Sequence, residues 1–193
     1  LADVIAGAIH KINPAIKIGL MSSDPMVHCA EYRDWQGILN AFAGQNMPVN
    51  RPHIPAYTEE TPGRLLWHFS RITPYTQAFV PSETVIYPEI DGYSHSRFSQ
   101  SHRFLTFAMQ LSIAAGARGI TLNTNMAGNG VYLSEKYQEA LAQIKPYLSE
   151  LASLKLHRGN QQGVRVLISE DSSEFMHTFA GRSMTELYPH ETF

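Results

Sequence analysis

Cysteine is all but missing. Cys29 is the only one among 193 residues, so an intrachain disulfide framework is excluded, as is a zinc site built on thiolates. No apolar run approaches the roughly 18 residues of a membrane span, and the opening residues lack a signal-peptide pattern. Neither sign of charge dominates: 15 Lys and Arg stand against 17 Asp and Glu, a net charge of −2. Nothing here recruits nucleic acid or an anionic membrane surface. No strand-like run is followed by the glycine fingerprint of a dinucleotide site. The nine histidines are scattered, and His95 and His102, seven apart, match no compact ligand spacing. No cofactor and no metal are expected. None of these absences fixes the compartment.

What is present is an alternation of helix and strand. Residues 1–12 carry Val4, Ile5, Ala8, Ile9 and Ile12 at helical spacing and are stopped by Asn13-Pro14. Residues 16–21 read as a buried strand. Residues 31–43 read as a helix with Trp35, Ile38, Leu39 and Phe42 on one face and Gly44 at its end. Residues 51–56 form a weaker strand, because Pro52 and Pro55 argue against a long central one. Thr61-Pro62 opens the next helix, with Leu65, Leu66, Phe69, Ile72 and Phe79 as its apolar stripe. Pro74 should kink or interrupt it. Residues 84–90 are the third strand. Residues 101–115 are helical through Phe104, Phe107, Ala108, Leu111 and Ala115, and Gly116 ends them. Residues 119–123 are the fourth strand, and residues 134–154 a long helix.

This pattern repeats near every 35 residues with no hairpin signal, which means parallel strands joined by crossover helices. A complete (β/α)8 TIM barrel needs about 250 residues, so four such units make half of one. A doubly wound sheet predicts the same alternation. Composition shifts at residues 156–163, a polar linker, and residues 164–169 then read as the first strand of a second domain. Two domains are expected, 1–155 and 156–193. The chain starts inside a helix and stops just after the new unit begins, so both ends read as cuts through a longer protein.

The chemistry concentrates where strands end. Val85-Ile86-Tyr87-Pro88-Glu89-Ile90-Asp91 delivers two carboxylates into a loop holding Gly92, Tyr93, Ser94, His95, Ser96 and Arg97. Barrel enzymes build their sites at the C-terminal ends of strands. Ser22, Ser23, Asp24 and His28 follow the first strand; His53, Tyr57 and Glu59 the second; Asn123, Asn125 and Asn129 the fourth. Carboxylates, amides, phenols and imidazoles suit sugar hydroxyls, and the set lacks the Arg and Lys clamps of phosphoryl transfer. Glu89 reads as a catalytic carboxylate or as a salt-bridging group at a strand end. Asp91 reads better as a turn residue before Gly92. The loop of residues 126–130, though Gly-rich, reads as structural.

The order of Glu89, a loop, then Phe104-Leu105-Thr106-Phe107-Ala108-Met109-Gln110-Leu111-Ser112-Ile113-Ala114-Ala115-Gly116-Ala117-Arg118-Gly119-Ile120 resembles the end of the barrel in family 42 glycoside hydrolases and related β-galactosidase-like enzymes. In that family a helix with an A-x-x-x-G-A-x-G pattern leads into strand eight. Here Ser112 stands in for the first Ala, and Gly116-Ala117-Arg118-Gly119 matches. The resemblance covers most of residues 1–175 in layout and is specific in sequence around 86–120.

The resemblance implies that the four strands are strands five to eight of a TIM barrel, followed by the start of a flavodoxin-like trimerisation domain. It implies a retaining β-glycoside hydrolase with Glu89 as nucleophile, and its acid/base Glu after a strand four that precedes Leu1. Tyr57 lies where related enzymes place a Tyr near the nucleophile, and Asn123 and Asn125 line the sugar site. His53, Tyr93 and Arg97 complete the substrate-binding candidates. The family usually carries a Trp near the end of strand eight; Thr121-Leu122-Asn123-Thr124-Asn125 has none. The expected partners are a carbohydrate substrate and further copies of the chain, a trimer in that family, with no nucleic acid and no membrane. A cytoplasmic location is what the family favours. Two other readings stay open: a non-catalytic carbohydrate-binding barrel, and another TIM-barrel hydrolase or lyase.

Overall fold

The computed structural model describes residues 1–23, 25, 27, 33–54, 59, 62–91, 100–123, 134–156, 162–164 and 167–169. Among them, helix α1 (Ala2–Ile12) leads to strand β1 (Gly19–Ser22), then α2 (Trp35–Ala43), β2 (Val49–Pro52) and α3 (Pro62–Phe79). Two short strands follow, β3 (Val85–Ile86) and β4 (Glu89–Ile90), then α4 (His102–Ala114), β5 (Thr121–Leu122) and α5 (Glu135–Ser153).

The strands lie side by side in chain order. β1 pairs with β2, β2 with β3, and β4 with β5, every pair parallel. β3 and β4 are two halves of the single strand expected over 84–90, parted at Tyr87-Pro88. The cause is local: Pro88 has no N–H to give a ladder. The first half therefore pairs with β2, where Tyr87 N–H donates to Asn50 O at 3.0 Å. The second pairs with β5, where Pro88 O accepts from Thr121 N–H at 2.9 Å. β2 is a central strand in spite of its proline, because Pro52 is its last residue and the bond to Ser22 O comes from His53 N–H at 2.7 Å.

Helices cover one face of these strands. Ile86 packs with Trp35, Leu39, Phe79 and Val80, and Leu20 and Ile38 join that cluster. Ile54 and Ile90 pack with Phe69, Ile72, Phe104, Leu105, Ala108, Met109 and Tyr137. Alternation along the strands sends Met21, Arg51, Tyr87, Glu89 and Thr121 to the opposite face. There Met21 is 69% exposed, against 0% for Asn50 and 1% for Ile90 on the covered face. Asn50 satisfies its burial by donating to Leu20 O at 3.1 Å and bonding the Ser22 hydroxyl at 3.1 Å. Gly119 lies against this second face, where an added Cβ would fall 2.7 Å from the Tyr87 ring.

Several helix starts are side-chain capped. Asp34, Ser101 and Ser134 each accept from the backbone N–H three residues on, at Gly37, Phe104 and Tyr137. Gly44 closes α2 at φ +58, a conformation that strains other residues. Four expectations are corrected. α3 runs unbroken through Pro74, its buried Phe69, Ile72, Thr73 and Thr76 holding it against the sheet. Leu66 and Phe107 lie off the packed stripes, at 48% and 41% exposure. On α1 only Ala6 is buried, while Val4 and Ile12 face outward. The described residues of the expected strand over 164–169, 164 and 167–169, are not in a strand, and Ile168 packs beside the Trp35–Leu39 cluster.

Candidate active site

Parallel strands in one row bring their C-terminal ends to a common edge. Ser22 ends β1, His53 follows Pro52 of β2, Asp91 follows Ile90 of β4, and Asn123 follows Leu122 of β5. Glu89 opens β4 beside Thr121, its register partner on β5.

Glu89 forms an ion pair, its Oε2 with Nη1 of Arg51 on β2. The two side chains are 16% and 22% exposed, reachable from solvent yet partly withdrawn from it. Asp91 is tied from two sides. Its Oδ1 accepts from Asn123 Nδ2 at 2.9 Å, and its main-chain oxygen accepts from Gln100 Nε2 at 2.5 Å. Asn123 is itself fixed, since its N–H donates to Ile90 O at 2.9 Å. A third carboxylate, Glu59, accepts from Ser101 N–H at 2.8 Å and from the Ser101 hydroxyl at 2.9 Å. It therefore joins the segment after β2 to the first turn of α4.

Of the residues expected at the site, Glu89, His53 and Asn123 stand along this edge. His53 is exposed. Tyr57, Tyr93, Arg97 and Asn125 lie outside the described residues, as do Asp24, His28, His95 and Asn129. Asp91 and Asn123 come together through a hydrogen bond that sequence reading did not foresee. Arg51 was missed altogether. Its signal was present: Arg51 is one residue off Asn50 and Pro52 in the alternation, on the same face as His53. With β2 read as a weak strand, that alternation carried no pairing.

The edge thus holds one carboxylate–guanidinium pair, a second carboxylate held by an amide, and an exposed imidazole. Such a set can present a carboxylate oxygen to an electrophilic carbon and hydrogen-bond hydroxyl groups around it. Among the described residues no three His, Cys, Asp or Glu side chains are grouped to hold a metal ion. No described helix is long and apolar enough to cross a membrane. No family model, curated protein or solved structure matches the chain.

Proposed function

We propose that the chain is the C-terminal half of a (β/α)8 barrel, strands five to eight, from a retaining β-glycoside hydrolase of the β-galactosidase-like kind, with Glu89 as its nucleophile. One observation carries the reading. Glu89 lies toward the C-terminal end of the run formed by β3 and β4, on the face turned away from the helices and paired with Arg51 of a neighbouring strand. The strand order supports the barrel over the doubly wound sheet. A doubly wound sheet reverses its order and carries helices on both faces, whereas here the strands run in chain order and the described clusters lie on one face.

In the proposed reaction a Glu89 carboxylate oxygen attacks the anomeric carbon, and the glycosidic C–O bond breaks. The leaving oxygen takes a proton from a second carboxyl group. Water then attacks the glycosyl ester with that second group as base, which frees Glu89 and regenerates the acid. The second group lies outside these 193 residues in this reading. Asp91 and Glu59 serve other ends, one bonded to Asn123 and the other to Ser101. The sugar hydroxyls meet Asn123, His53, Tyr57, Tyr93, Arg97 and Asn125. The trimerisation-like domain begins in residues 156–193, and the parent assembles as a homo-oligomer.

Glu89→Gln keeps the shape and removes the negative charge. In the full-length protein it is expected to lower kcat on aryl β-galactosides by about 10⁴-fold or more, the scale seen when a unit of catalytic machinery is lost. Undiminished hydrolysis would remove Glu89 from the role. Loss of sugar binding in a protein that never hydrolysed any glycoside would favour the non-catalytic carbohydrate-binding barrel.

A further inference from the structure

We infer that Arg51 is the positioning residue for Glu89: reaching across from β2, its guanidinium fixes the carboxylate and keeps it ionised for attack. The inference rests on the reading of Glu89 as nucleophile and adds a residue that the family resemblance did not supply.

The groups around Glu89 make the case. Arg51 comes from β2 with His53 just after it, Thr121 from β5 with Asn123 just after it, and Asp91 follows its own strand β4. Glu89 and Asp91 are two residues apart on one face, hence about 6.6 Å along the strand. Asp91 is held apart from this pair by its own bond, its Oδ1 accepting from Asn123 Nδ2 at 2.9 Å. Glu89 is the group that must be anionic to attack, and its carboxylate pairs with Arg51. A guanidinium is charged at every working pH and offers several donors in a fixed plane.

Register explains why the reach succeeds. Asn50 stands opposite Ile86, so Arg51 stands beside Tyr87, one strand over and two residues short of Glu89. A long side chain leaning along its strand covers that interval. The Tyr87 ring lies over Gly119 on the same face. At 22% and 16% exposure the pair lies between a surface and a buried ion pair, so removing Arg51 leaves a carboxylate partly withdrawn from water. Arg51→Lys keeps the charge and the fold-supporting contact, so it serves as the folded control beside Arg51→Met.

The test uses the full-length protein and its Arg51→Lys and Arg51→Met variants, with dinitrophenyl β-galactoside as substrate. That leaving group departs without a proton, so kcat/KM reports attack by Glu89. In Arg51→Met the acid limb of the kcat/KM profile is expected to move up by about one pH unit or more, the scale of losing an adjacent opposite charge. Arg51→Lys, which keeps the charge, is expected to restore the limb to within about half a unit of wild type. A purely structural role would lower the active fraction and leave the midpoint unmoved, and that result overturns the inference. A second readout separates the two claims. The carboxyl ¹³C titration of Glu89, assigned by its loss in Glu89→Gln, is followed in wild type and in Arg51→Met. A midpoint that rises in Arg51→Met supports the electrostatic role, and an unchanged midpoint overturns it. A wild-type protein inactive on every aryl β-glycoside sinks the glycosidase reading by itself, whatever the titration shows.

Discussion

Tyr137 shows at the scale of one residue how burial becomes pH dependence. The ring is 3% exposed, packed with Ile54, Phe69 and Phe104, and meets the His102 ring edge-on at 5.7 Å. Its Oη has no hydrogen-bond partner among the described residues. Burial pushes the phenol up to about 12, from an ordinary value near 10. The folded state thus holds this proton more tightly than the unfolded chain does. The resulting stability is fully present below about pH 10 and is lost as pH rises through about 12. Urea denaturation should show wild type weakening across that window, and Tyr137→Phe should lack this part of the decline, on the order of 2 kcal/mol. At pH 7 the Phe variant should be as stable as wild type or slightly more so, since a buried hydroxyl without a partner contributes nothing. Equal slopes for the two proteins above pH 10 would contradict the assignment.

Among the elements, α4 is held at its start by more than its own cap. Ser101 accepts from Phe104 N–H at 3.1 Å, while its own N–H and hydroxyl both donate to Glu59. Ser101→Ala removes the cap and one of the two bonds to Glu59. The expected loss is about 1–2 kcal/mol of unfolding free energy, at the upper part of the range for N-caps. Ser101→Asp should recover the cap but set a carboxylate against Glu59, and so fall short of wild type. Thermal denaturation of the two variants ranks them. The helix itself was legible in the sequence, as were α2 and α5, because apolar spacing is a local signal, although α2 begins at Trp35 behind an Asp34 cap rather than at residue 31. The strands were less so. Residues 84–90 split because Pro88 changes which neighbour the backbone serves, and that depends on a strand about thirty residues away. β2 was undervalued for its prolines, although one of them only ends it. Arg51 stayed hidden for the same reason: Glu89 is its partner only through strand register, which no local pattern states.

On the scale of the whole molecule, the described helices cover one face of the strands, and the proposed chemistry lies on the other. Helices bury Ile54, Ile86 and Ile90 on one side of the strands, and the other side carries Met21, Arg51, Tyr87, Glu89 and Thr121. Periodicity near 35 residues pointed to parallel strands in this order. It did not distinguish which face the helices would take, and that is what favours the barrel reading over the doubly wound one. Val4 and Ile12 of α1 are exposed, as is Met21 on β1, the strand at one end of the described row, beside which a further strand would pack in the proposed barrel. The proposed mechanism depends on that completed barrel, because a retaining glycosidase needs a second carboxyl group about 5–5.5 Å from its nucleophile. The most direct measurement is therefore trapping of the glycosyl-enzyme. The full-length protein is incubated with dinitrophenyl 2-deoxy-2-fluoro-β-galactoside, digested, and the modified peptide sequenced by mass spectrometry. One fluoroglycosyl group esterified to Glu89 is the predicted result. An active protein labelled at any other carboxylate, or turning over with no covalent adduct, would contradict it.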